Sequence, residues 1–215
     1  MPRSLVLVVA LTSLALSPGC RKKGPPPIKM SAEDQALSRF ALSVLEAARS
    51  PGGLGPELVD DDLVERLRRV QLVKHTTMDT MDRDKLLAAF AGEAGPDRKY
   101  PVAERPAKQR ERAARGMNAM LTGTCTAIPW PEGRAARVAF FVAPVDAGPL
   151  PDEVRTEQKA LGERLAKAEV ARVSCQSGEA GFVVVKDGSG KRRLVDAFPL
   201  HRATMEVHPN EPTMK

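Results

Sequence analysis

The chain has 215 residues, with 33 Lys and Arg against 27 Asp and Glu, a net charge of +6. That excess is too small to argue for nucleic acid as a partner, and the length suits one domain with a tail or two small ones. Aromatic residues are only 4%, so a core must rest on Leu, Val, Ala and Met, while 18 Pro and 16 Gly imply long connections.

Residues 1–20 read as an export signal. Arg3 supplies a positive start, and residues 5–16 are apolar apart from Thr12 and Ser13. That run is shorter than the roughly 20 residues that span a bilayer. It closes on Leu16-Ser17-Pro18-Gly19-Cys20. This ending resembles the lipobox of bacterial lipoproteins, in which a small residue precedes the cysteine that becomes lipidated. Leu16 stands one place further back than the family's leucine, where this chain has Ser17. The resemblance implies a signal peptide over 1–19, cleavage before Cys20, a diacylglyceryl thioether on its sulfur and an acyl group such as palmitate on its new amino terminus. Several chains on one residue hold stably, whereas one binds marginally. Arg21 is not the aspartate that often retains such proteins at the inner membrane, so the resemblance points to the bacterial cell envelope at the outer membrane.

Residues 20–30 form a tether. Arg21, Lys22 and Lys23 follow the lipid site and suit either anionic headgroups or the solubility of a linker. Pro25-Pro26-Pro27 stiffens the segment, which at about 3.1 Å per residue reaches up to about 30 Å.

A helical part spans 31–92. Ser31 and Asp34 have capping-box spacing, and Leu37, Phe40, Ala41, Val44, Leu45 and Ala48 recur at helical spacing before Pro51-Gly52-Gly53. Asp60-Asp61-Asp62 reads as the cap and first turn of a second helix in preference to a metal site. Asp79, Asp82 and Asp84 lack the glycine and terminal glutamate of a calcium loop and read as caps for a short helix through Phe90. His75 stands alone.

A basic connection follows over 93–116. Arg105, Lys108, Arg110, Arg112 and Arg115 make it the candidate patch for an anionic glycan, lipid or envelope protein; the alternative is a solvated helix face. After Gly116 the period changes. Residues 121–128 alternate like a strand, and Pro129-Trp130-Pro131 forms a rigid loop that lids the core edge. Residues 137–143 read as a buried strand, Asp152 as the cap of a helix over 153–167, and residues 170–175 as a further strand. Asp187-Gly188-Ser189-Gly190 between two Val-rich runs is the clearest hairpin. The tail, 209–215, is polar, after His201 and His208.

With Cys20 lipidated, Cys125 and Cys175 remain as a pair. In an oxidising compartment they read as a disulfide between neighbouring strands, the alternative being two buried thiols. No close-spaced partner suggests zinc, and no motif implies a metal or cofactor.

The expected fold class is α+β: N-terminal helices, then an antiparallel sheet of four or five strands over 117–208 with one packed helix. The order of helices, sheet and late hairpin resembles NTF2-like cone folds, which do not expect the helix at 153–167. Two function classes are open. One is a non-catalytic binding or assembly module tethered to the membrane. The other is an envelope hydrolase using His75 or His201 with a carboxylate. A small-ligand carrier would need an apolar cavity in the sheet. The first class leads, because no nucleophile, base and carboxylate set stands at recognisable spacing.

Overall fold

The computed structural model describes residues 30–79, 82–93, 95–133 and 150–200. Cys20, His201, His208 and the strand expected over 137–143 lie outside them.

Helix α1 (Ala32–Arg49) starts where Ser31 and Asp34 exchange hydrogen bonds. The Asp34 amide donates to Ser31 Oγ at 3.1 Å, and the Ser31 amide donates to Asp34 Oδ2 at 3.1 Å. These bonds satisfy two amides the helix leaves unpaired. Ser31→Ala is expected to cost about 1 kcal/mol and to lower Tm by about 2–4 °C in a thermal melt.

Asp60 caps α2 (Asp61–Asp79), accepting from the Leu63 amide at 3.0 Å. Asp82 caps α3 (Arg83–Phe90), accepting from the Asp84 amide at 2.9 Å. Two 3-10 turns, Pro96–Lys99 and Val102–Glu104, lead into α4 (Arg105–Met120). The basic connection is therefore largely a helix, and it runs past Gly116. One glycine costs a helix about 1 kcal/mol. Ala114, Met117 and Leu121, buried at spacings of three and four, outweigh it.

β1 (Cys125–Pro129) is followed by α5 (Asp152–Leu165), β2 (Glu169–Cys175), β3 (Glu179–Lys186) and β4 (Arg192–Leu200). Asp152 does not cap α5. Pro151 holds the cap position, and Asp152 lies in the first turn, paired with Arg155. The class is α+β, and the described residues form one four-stranded antiparallel sheet in the order β1-β2-β3-β4. Beside β4, Val59 forms a parallel bridge with Leu194. The Leu194 amide donates to Leu58 O at 2.7 Å, and the Asp60 amide to Leu194 O at 3.0 Å. This covers part of an edge that would otherwise be open for pairing.

Helices cover both sheet faces, not one. Ala171, Val173, Ala180, Phe182 and Val184 pack on α1 and on Ala114 and Met117 of α4. Val170, Val183 and Val185 pack on Leu63, Leu67 and Val70 of α2 and on Leu161 and Leu165 of α5. Trp130 packs at the edge of this second layer, its ring 6.3 Å from that of Phe198. Val73, Leu86, Ala89 and Val154 join α2, α3 and α5 in a third cluster.

The hairpin turns at Asp187. Its Oδ1 accepts from the Ser189 amide, the Ser189 hydroxyl and the Lys191 amide at 2.7–3.0 Å, and Arg193 Nε donates to Oδ2 at 3.0 Å. The Ser189 and Arg193 bonds hold this carboxyl far below its ordinary range.

Cys125 and Cys175 are direct cross-strand partners of β1 and β2, and a disulfide joins them. Among the described residues no helix is long and apolar enough to cross a membrane.

Candidate functional site: a cavity between helix α4 and edge strand β4

Helix α4 carries three kinds of residue on three sides. Ala114 and Met117 enter the core. Gln109 and Arg112 turn toward α2 and the first 3-10 turn. Ala113, Gly116, Met117 and Met120, spaced i, i+3, i+4 and i+7, form a stripe of small and flexible residues facing β4.

The opposite wall comes from Leu194, Val195, Asp196 and Ala197 of β4, with Val59 and Val64 beneath. A β-bulge between Val183 and Val184 shifts the β3–β4 register here. The extra residue is Val195, between Leu194 opposite Val184 and Asp196 opposite Val183; Leu194 joins the α1 layer and Val195 the α2 layer. Bulges commonly re-aim side chains beside binding sites. Between the two walls lies a cavity of about 340 Å³, with Asp61, Gln109, Arg110, Arg112 and Asp196 as its polar members.

These polar groups are tied into ion pairs. Asp60, Asp61 and Asp62 each meet an arginine from a different place: Arg164 of α5, Arg110 of α4 and Arg66 of α2. Burial raises the Asp61 carboxyl against the pull of the Arg110 guanidinium. Arg110 Nε also donates to Leu54 O at 3.1 Å. Arg112 Nη2 donates to Asp97 Oδ1 at 2.5 Å, and this bond raises the Arg112 guanidinium further. Asp97 is fully buried and also faces Arg68 Nε at 3.7 Å.

Glu65 sits at the centre. It accepts two bonds from Arg68 at 2.9 Å, one from Arg69 at 3.2 Å and one from Gln109 Nε2 at 2.6 Å. Burial by itself would raise the Glu65 carboxyl, but the bonds from Arg68, Gln109 and Arg69 outweigh it and hold it at about 2, below the ordinary 4.5. A depressed carboxylate stabilises the fold above its unfolded value, and that stability is lost as pH falls through the folded one. Acid titration of Glu65 from pH 4.5 toward 2 is therefore expected to remove on the order of 3 kcal/mol. Urea midpoints at pH 6 and pH 2.5 check this: Glu65→Gln should lose less between the two pH values than the native chain does.

The five residues of the expected basic patch for an anionic partner are each held by a partner within the fold. Arg105 turns inward, donating to Tyr100 O at 3.3 Å and Gly92 O at 3.2 Å. Lys108 and Arg115 both pair with Glu111, at 3.3 and 3.8 Å. Arg110 and Arg112 alone of the five line the cavity, each already matched with a carboxylate. His75 is exposed on α2 and does not line it. Among the described residues, no group of three His, Cys, Asp or Glu could hold a metal ion.

The cavity stands beside the sheet, not in it. Gln109, Met117, Met120, Val59 and Leu194 are absent from the sequence expectation. The i, i+3, i+4, i+7 stripe on α4 is the signal that could have found two of them, Met117 and Met120.

Comparisons with known protein families, with curated proteins and with solved structures give no match to this chain.

Proposed function

We propose that this protein is a lipid-anchored lipoprotein of the bacterial cell envelope, held at the outer membrane through Cys20. Its folded part is a non-catalytic binding module, and the cavity between α4 and β4 is its binding site. The lipobox-like ending at Cys20, the basic, Pro-rich tether and the extracytoplasmic style of the Cys125–Cys175 disulfide support the location. One observation carries the binding role: a cavity of about 340 Å³ walled by Val59, Val64, Met117, Met120, Leu194 and Ala197, with a few polar groups among them. Sites for small molecules have this size and character, at about 300–1,000 Å³ with a mainly apolar lining. The hydrolase reading draws no support from the cavity, whose lining among the described residues includes no histidine, serine or cysteine.

Two masses test the proposal. Under denaturing conditions, protein from its own membrane fraction should weigh as residues 20–215 plus acyl chains, rising by two hydrogens on reduction. The mass of an unmodified chain would overturn the anchor. Under native conditions a bound small molecule should accompany the protein and be absent from a Gly116→Trp variant, whose indole would fill the cavity mouth. A molecule retained equally by that variant would place binding elsewhere.

A further inference from the structure

We infer that one acyl chain of a membrane lipid lies along a trough between α4 and β4, running from the cavity described above into a second one at Met120. This rests on the reading of the cavity as the binding site of an anchored protein and adds the shape and class of its occupant.

Direction is the first observation. α4 and β4 run side by side the same way. At one end Arg110 of α4 meets Asp61 and Leu54 O, next to Leu194, whose carbonyl accepts from the Asp60 amide. At the other end Met120 O accepts from the Ser177 hydroxyl at 2.8 Å, two residues before Glu179, the cross-strand partner of Leu200. Leu194 and Ala197 of β4 face the α4 side, and Pro199 follows Ala197 two places on, on the same side of the strand. Phe198 turns to the opposite layer.

Continuity is the second. The further cavity, about 550 Å³, is walled by Ala119, Met120, Cys175, Pro199 and Leu200. Met120 lines both cavities, so the two meet there. Together they follow β4 from Leu194 to Leu200, about 20 Å at 3.3 Å per residue. That length suits an extended chain and exceeds what a compact ring system fills. A Cβ on Gly116 would meet nothing within 4 Å. Glycine there keeps the wall open beside Met117 and Met120, whose flexible thioethers adapt to irregular apolar shapes.

Charge is the third. The first cavity holds two carboxylates, Asp61 and Asp196, and two guanidiniums, Arg110 and Arg112, which sum to zero. In the second, Glu179 is paired with Arg172. No net charge selects a charged head, so recognition lies in the chain. The membrane is its source because of where the tether leaves the fold. Glu33, in the first turn of α1, pairs with Arg192 at 2.9 Å, and Arg192 stands two residues before Leu194. One end of the trough therefore lies beside the root of a tether that reaches up to about 30 Å.

The test uses the full chain with methyl-labelled methionine, read by NMR, and lysophosphatidylcholines with octanoyl, dodecanoyl and hexadecanoyl chains, each below its micelle concentration. All three are expected to shift the Met117 and Met120 methyl signals. Affinity should rise about tenfold at each step, less than full burial of the added methylenes would give, because Ala113 and Gly116 leave the trough open to solvent. Gly116→Trp should abolish the shifts. Ala119→Trp, which fills the second cavity alone, should remove the gain from dodecanoyl to hexadecanoyl and leave dodecanoyl binding unchanged. Equal affinity for those two chains, or a gain that survives Ala119→Trp, would overturn the trough and leave the first cavity as a site for a compact ligand. No shift with any probe, or shifts that persist in Gly116→Trp, would overturn the cavity reading itself. Tighter binding of free hexadecanoate than of the hexadecanoyl lysolipid would overturn the membrane source in favour of a free fatty acid. A shift of both methyl signals on Cys20→Ser with no probe present would overturn it in favour of the chain's own acyl group.

Discussion

The Cys125→Ser, Cys175→Ser double variant is expected to lose about 4 kcal/mol of stability, most of it through the unfolded chain. The two sulfurs close a loop across a sequence separation of 50, and freeing a loop of that size restores about this much chain entropy to the unfolded state. The folded side adds a local effect. Among the described residues β1, five residues long, lies at the sheet edge and pairs with β2 alone, with Cys125 opposite Cys175 at the end of the ladder. Arg49 braces the same corner, donating to Leu121 O at 2.8 Å and Gly123 O at 3.3 Å. Without the bridge, β1 amides should exchange with solvent well before those of β3, whose residues 180–185 are all buried. Urea denaturation of native and double-variant protein checks the first statement, and amide exchange checks the second. A midpoint shift worth under 1 kcal/mol would mean that the sheet holds this corner without the bond.

The features legible in the sequence are those whose chemistry is local. Ser31 with Asp34, Asp60 before α2 and Asp82 before α3 announce helix starts because a capping oxygen must stand within three residues of the amides it serves. Asp187-Gly188-Ser189-Gly190 announces its turn for the same reason. The cysteine pair was readable by count and strand pattern, and the register bears it out.

Features set by distant packing were not legible. The Phe182–Val185 run lacks alternation because both sheet faces are covered, yet an apolar run of four does not say what covers it. Gly116 suggested an end to the helical period, whereas the helix runs on to Met120 because Met117 and Leu121 are buried beyond it. Arg110 and Arg112 looked like free charge because their partners lie 49 and 15 residues away. The cavity floor depends on a bulge in β4 and a bridge from Val59, neither of which has a sequence signature.

Asp97→Ala is expected to cost about 3–5 kcal/mol, the usual effect of removing one member of a buried ion pair. Asp97 is fully buried in a turn entered through Gly95 at φ 85°, and its carboxylate faces two guanidiniums, Arg112 and Arg68. The two do not suffer equally when it goes. The Arg112 side chain is 45% exposed and can turn to water. Arg68 is 15% exposed, and its Nη1 already lacks a partner among the described residues, so it would keep Glu65 alone. The larger part of the cost should therefore come from Arg68. Arg112→Ala is the lesser change, because Asp97 keeps Arg68 beside it. The double variant Asp97→Ala, Arg112→Ala should be no worse than Asp97→Ala by more than about 0.5 kcal/mol, since the second substitution removes a group already released. Urea denaturation of the four proteins closes this cycle. Simple addition of the two single costs would show that the pair is not coupled and that α4 is held against the 3-10 turn by packing. Raising salt to 1 M should leave the coupling in place, because a charge buried on one side of a pair is screened far less than an exposed one.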